Sequence, residues 1–236
     1  MISFRNLAVS IWGYEPSAPL PYSQDLSRYR GFRFGADVLA VAKHAHAKPS
    51  EARMIHERPA LIQELAWQSP YKRSSPRADS VKDILFSFYN GELFRIVVTY
   101  DRERIAGMTA EDIVEAVSAK YGTATGPIAE IILSSTQFYN NGGEKIISDR
   151  IEKIIACWED SQHSFNLFQP SYQSTFGMVM YSKRLDALAR AAIVESVRLD
   201  KQEAPRRESE RQKKEDEENR ARLEKARQAN KAPFQP

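Results

Sequence analysis

The stretch VKDILFSFYNGELFRIVVTYDRERIAGMTAEDIVEAVSAKYG, residues 81–122, decides the fold. Two apolar and aromatic runs, 81–89 and 93–100, flank Asn90-Gly91, a dipeptide suited to the positive φ angles of a type I′ turn. They predict a β-hairpin. Ile84, Phe86 and Phe88 alternate with Asp83, Leu85 and Ser87, and Phe94, Ile96, Val98 and Tyr100 alternate with Arg95 and Thr99, so one face is expected inside and the other partly wet. Thr109 stands three residues before Asp112, a capping-box variant with the shorter acid, and Met108 and Ile113 hold the staple positions. A helix therefore starts at 109–110. Ile113, Val114, Val117 and Tyr121 form its apolar stripe, Lys120 complements the dipole of the last turn, and Gly122 is expected to close it in the left-handed region.

Working outward, residues 37–47 predict a helix opened by Asp37 and stopped by Pro49, residues 51–57 a further helical turn, and residues 63–67 a strand. A polar loop at 69–80 carries Lys72, Arg73 and Arg77. Beyond Gly122 a connection with a turn at 140–143 leads to strands at 153–158, 164–169 and 175–182, and then to a helix over 183–200. The expected class is α+β: two helix-plus-three-stranded antiparallel meander units, followed by a charged C-terminal helix. The divisions are an N-terminal arm at 1–30, units at 31–108 and 109–200, and a tail at 201–236. Asp37-Val38 and Asp112-Ile113 open the two helices alike, and Trp67 and Trp158 end corresponding strands, which is consistent with a degenerate internal duplication and equally with common residue preferences.

With 236 residues, 42% of them hydrophobic, the chain buries a core of its own. A net charge of +3 does not call for a nucleic acid, and one cysteine, Cys157, excludes an internal disulfide framework. No run approaches the roughly 18 apolar residues of a membrane span. Near the start, Arg5 precedes an apolar patch at 7–12 and then Ser17 and Ala18, the order of an export signal, but the patch is short and no small-x-small site follows. An extended arm is the other reading, and both stay open.

A Gly35-x-Asp37-Val38 helix start, a strand ending in Trp67 and a following hairpin are together similar to the repeat of BamE-type outer-membrane assembly lipoproteins and of the β-lactamase-inhibitor protein. YRGFRFGADV at 29–38 and WED at 158–160 also resemble a group of alphaproteobacterial envelope-type proteins. That resemblance implies a periplasmic protein that binds other proteins through an exposed sheet. The chain departs from the lipoprotein pattern in having no lipobox cysteine near its start, and this puts lipid anchoring in doubt.

Catalytic signals are few. There is no GxGxxG after a strand, no GxxxxGK and no GxSxG, so neither a nucleotide cofactor nor a serine-hydrolase elbow is expected. His44 and His46 lie two apart on a helix, their side chains roughly 200° apart, and do not share a metal. Glu159, Asp160 and His163 near a strand turn give the one acid–base or metal alternative, an enzyme of unstated class. The favoured expectation is non-catalytic protein binding, with Leu93, Arg95 and Val97 on the wet hairpin face, the surface near Trp158, and Phe234 as an anchor at the end of the tail. In the tail eighteen of the thirty residues 201–230 are charged and Leu223 is the one large apolar side chain, so it is read as a solvated helix held by pairs such as Glu203–Arg207, Glu210–Lys214, Asp216–Arg220 and Glu218–Arg222. Lys72, Arg73 and the tail carry a third, nucleic-acid reading that the near-neutral tail disfavours.

Overall fold

The computed structural model describes residues 25–69, 79–125, 130–137, 146–170 and 175–231. A short ladder, β1 (Arg28–Tyr29) with β2 (Phe32–Arg33), precedes α1 (Val38–His44) and a 3-10 turn at Pro49–Glu51. Four strands follow: β3 (Arg53–His56), β4 (Ile62–Gln68), β5 (Val81–Tyr89) and β6 (Glu92–Tyr100). Then come α2 (Ala110–Tyr121), four more strands, β7 (Glu130–Gln137), β8 (Ile146–Glu159), β9 (His163–Gln169) and β10 (Gly177–Ser182), and finally α3 (Lys183–Lys231). The class is α+β, as the sequence predicts.

Each half is a helix followed by four strands rather than three. The strands form one antiparallel sheet in the order β3-β4-β5-β6-β10-β9-β8-β7, so the two meanders meet through their last strands. The extra members are β3, where a helical turn is expected from sequence, and β7, which lies in the predicted connection. Trp67 on β4 and Trp158 on β8 occupy the second strand of each half.

Local chemistry explains the elements best seen from sequence. Asn90 and Gly91 both have positive φ, 48° and 86°, and the Asn90 side chain also accepts the Leu61 amide at 2.9 Å, tying the turn to the start of β4. In α2 the Thr109 hydroxyl accepts the Asp112 amide at 3.2 Å and the Asp112 carboxylate accepts the Thr109 amide at 2.7 Å, closing the capping box. Gly122 ends α2 at φ 83° and ψ −175°, a glycine-favouring geometry with an extended ψ and not the left-handed cap expected. Asp37 caps α1 through the Ala40 amide at 2.7 Å.

The alternation along β6 departs from expectation at one point. Ser87 pairs with Arg95 and Phe88 with Leu93, leaving Phe94 as an extra residue in the ladder. This bulge puts Leu93 with Ile96 and Val98 in the main core, and Phe94 in a second cluster with Ile62, Leu185 and Ala189. The core face of the hairpin is thereby buried, and on the other face Phe94 is buried while Asp83, Leu85, Arg95, Val97 and Thr99 are half-buried. Against one face pack β1–β2, α1 and α2, through Phe32, Phe34, Val41, Ile113, Val117 and Tyr121. Leu26 and Tyr29 belong to this core, so the fold begins inside the predicted arm. Against the other face lies α3, which buries Leu185, Asp186, Ala189, Ala192 and Ser196 at helical spacing while Leu188 and Val194 point out. The buried Ser196 hydroxyl and His56 Nδ1 are 2.7 Å apart and join α3 to β3.

Gly177 faces Phe168 across β9 and β10, and a Cβ there would come within 2.3 Å of the Phe168 ring. Gly177→Ala should therefore lower stability by about 1–3 kcal/mol in urea unfolding, with part of the loss restored by Phe168→Leu; an unchanged midpoint for the single variant would show that the ring moves freely.

Candidate functional site

The residues expected to form a binding face separate in three dimensions. Leu93 and Trp158 are fully buried, so neither offers a side chain to a partner. The Trp158 indole N–H donates to the Gly122 carbonyl at 2.8 Å and to Ser118 Oγ at 3.2 Å, which locks the C-terminal end of α2 onto β8. Arg95 is covered by α3: its side chain keeps 12% exposure and lies 3.9 Å from the Glu64 carboxylate. Burial pushes the Arg95 guanidinium down, against the attraction of Asp186 and Glu64. Among the described residues its Nε and Asp186 Oδ1 have no hydrogen-bond partner, while Asp186 Oδ2 accepts Arg190 Nε at 2.5 Å. Val97 packs beside Ile154, Phe168 and Val179 on the same side of the sheet. Phe94 and the α3 stripe cover this face around Arg95, while Asp83, Leu85, Val97 and Thr99 stay half-buried, so the face is partly wet as expected. Phe234, like Lys72, Arg73, Arg77 and the turn at 140–143, lies outside the described residues.

Glu159, Asp160 and His163 do come together, as a turn. Asp160 Oδ1 accepts the Gln162 and His163 amides, each at 2.6 Å, and its Oδ2 lies 3.3 Å from His163 Nδ1. Burial alone would raise this carboxyl, but the hydrogen bonds from Gln162 and His163 outweigh it and hold Asp160 below the usual aspartate range. Lys183 Nζ joins Glu159 at 2.9 Å and the Asp160 carbonyl at 2.7 Å, and Phe34 stacks on the His163 ring at 5.4 Å. Every group is engaged structurally, and together they close the β8–β9 turn onto the start of α3. Among the described residues no three His, Cys, Asp or Glu side chains are placed to hold a metal ion. Cys157 lies 3.8 Å from Ser164 Oγ, and burial pushes its thiol up, away from a reactive thiolate.

A cavity of about 250 Å3 lies on the α2 side of the sheet. Tyr29 of β1, Tyr100 at the end of β6 and Tyr121 at the end of α2 line it with Ile105, Ile113 and Val117, and Arg30, Arg104 and Lys120 add positive charge. Tyr29 and Tyr100 share a hydrogen bond, whereas the Tyr121 hydroxyl is buried without one among the described residues. Burial pushes all three phenols up, Tyr121 to about 12, so they are neutral hydrogen-bonding groups at ordinary pH. Arg30 is ion-paired with Asp79 at the rim. Burial favours the neutral Asp79 carboxyl, but the Arg30 hydrogen bond and charge prevail and hold it below the usual range. This cavity was invisible in sequence, since its tyrosines stand on three separate elements.

No protein-family model, curated protein or solved structure matches this chain. Function has to be read from geometry.

The remaining feature is the far part of α3. Glu203 meets Arg58, among the described residues the last ion pair between the helix and the body, and residues 204–229 are exposed throughout. Pro205, which has no amide to donate, marks the point of departure. Along the free part Glu203–Arg207 forms at 2.9 Å as expected, while Arg206 takes Glu210 at 2.8 Å, Arg211 takes Glu215 at 2.9 Å and Lys214 takes Glu218 at 3.9 Å instead of the other predicted pairs. Among the described residues no helix is long and apolar enough to cross a membrane.

Asp79 and Asp160 are two of several carboxyls held below their ordinary range, and they contribute to an acid limit. Asp79 and Asp160 ionise more readily folded than unfolded, so they stabilise the fold above the ordinary aspartate value of about 4, and that stabilisation is lost as pH falls through their lower folded values. Urea midpoints taken from neutrality down to about pH 2 should decline, and Asp160→Asn should make the decline shallower; an identical acid profile in the variant would deny Asp160 this part.

Proposed function

We propose that the protein is a non-catalytic protein-binding module of the bacterial cell envelope, in which the free half of α3 is the docking arm. The carrying observation is the full exposure of residues 204–229 in a helix that continues to Lys231. A helix of 28 residues standing alone would be marginal in water, because its first turn is costly to nucleate. Here the seated part, packed on the sheet through Leu185, Ala189 and Ser196, supplies that nucleus, and the free part only propagates. At 1.5 Å per residue it reaches about 42 Å beyond Ala204. It buries nothing of its own fold.

The arm carries an acidic block, residues 215–218, followed by a basic segment with Arg220, Arg222, Lys225 and Arg227 around the exposed Leu223. Such a surface recognises a partner of complementary charge, with fast, salt-sensitive association. The envelope setting rests on the resemblance carried by residues 29–38 and 158–160. The enzyme reading draws less support, since Asp160 and Lys183 are both engaged in closing the β8–β9 turn.

A photo-reactive amino acid at Leu223 should give a discrete adduct with one partner in native cells, weakened by raised salt during crosslinking in lysate. The same probe at Val194, equally exposed on the seated part of α3, should not. Equal adducts from both positions, or none from Leu223, would overturn the docking-arm reading.

A further inference from the structure

The free part of α3 carries a seven-residue repeat of charge. Glu203, Glu210, Glu217 and Glu224 stand seven apart, and a base follows each of them by three residues, at Arg206, Lys213, Arg220 and Arg227. Steps of three and four keep these positions on one side of a helix, and a straight α-helix drifts only about 20° per heptad, so they form one stripe along the arm. Acid and base alternate strictly along it.

Pairing within the helix leaves the middle of the stripe open. Arg206 binds Glu210 at 2.8 Å, Arg227 binds Glu224 at 3.2 Å, and Glu203 meets Arg58 and Arg207. Lys213, Glu217 and Arg220 have neither an ion pair nor a hydrogen bond among the described residues. All three are exposed, and their order is basic, acidic, basic.

A partner helix must therefore offer acid, base and acid at the same spacing. A second copy of this chain does so in one direction only. Laid parallel and in register, two copies would set glutamate against glutamate and base against base, which opposes association. Laid antiparallel about a two-fold axis near residue 215, Glu217 faces Lys213 of the second copy and Glu210 faces its Arg220. Glu224 then faces Arg206, and Glu203 faces Arg227. Each contact occurs twice by symmetry, so no charge of the stripe is left facing its own sign.

Building on the docking-arm reading, we propose that the arm's partner is a second copy of this chain, the two free helices lying antiparallel along this stripe. The overlap from 203 to 227 spans about 36 Å at 1.5 Å per residue, with the two folded bodies at opposite ends of the paired helices. Exposed ion pairs are individually weak and are screened by salt, so the association is weak and shows at low ionic strength.

Sedimentation velocity of the full chain tests this at about 20 mM and about 500 mM salt, with protein up to about 0.5 mM. At low salt the sedimentation coefficient should rise with concentration toward that of a dimer, and the dissociation constant should weaken at least about ten-fold at high salt. Glu210→Lys with Glu217→Lys makes the middle of the stripe wholly basic, and Lys213→Glu with Arg220→Glu makes it wholly acidic. Each double variant alone should remain monomeric, and an equimolar mixture of the two should associate at least as tightly as the parent. Recovery on mixing also shows that both variants fold. A parent that stays monomeric at low salt, association retained by either variant alone, or a mixture that stays monomeric would each overturn the proposal. A monomeric parent whose Leu223 probe still captures a different protein in cells would remove the self-pairing and leave the docking arm in place.

Discussion

Everything in this molecule hangs on the pairing of β6 with β10. Gly177 to Tyr181 lie antiparallel to Thr99 to Arg95, and among the described residues no other strand pair links the two halves of the sheet. Met178 and Met180, opposite Val98 and Ile96, continue the core of the first half into the second. Each cross-strand pair contributes on the order of 0.2–1 kcal/mol, so five in succession make a seam and not a hinge. The order of elements on either side of it is the same, a helix and four strands.

A sheet joined in this way has two large faces, and the chain covers them with different chemistry. The α1 and α2 side is aromatic, with Phe32, Phe86, Phe88, Trp158 and Phe165 forming the main core and the tyrosines gathered at one end of it. The α3 side mixes apolar contacts with buried charge, since Glu64 and Arg95 of the sheet face Asp186 on the buried side of the helix. Breaking such a cluster by removing one partner is more costly than never having formed it. It therefore registers α3 on the sheet, and that register sets where the helix leaves the body at Glu203 and Pro205.

The elements that could be read from residues alone are those whose signals are local. Asn90-Gly91 needs only its own φ angles, and Thr109 with Asp112 needs only one helical turn. The four-residue β3 carries too short a pattern to separate from a helical turn, and β7 runs Ile-Ile-Leu and then Ser-Ser-Thr, with no alternation to mark it. The bulge at Phe94 depends on the register of β5, which no single-strand pattern contains, and it moved Leu93 from the expected wet face to the core. Trp158 was legible as a strand end but not as a buried donor to Gly122. The candidate cavity was less legible still: Tyr29, Tyr100 and Tyr121 are brought together by the packing of β1 and α2 on the sheet and share no spacing along the chain.

One body with a helix running out of it makes a definite demand on amide hydrogen exchange in the free protein. β5, β6, β9 and β10 should exchange only through global unfolding, with one common free energy; α3 should be protected as far as Ser196, and residues 206–231 should exchange orders of magnitude faster. Different opening energies for the β5–β6 and β9–β10 pairs would show that the seam does not unite the halves, and protection of residues 206–231 equal to that of β6 would show that the helix does not stand free.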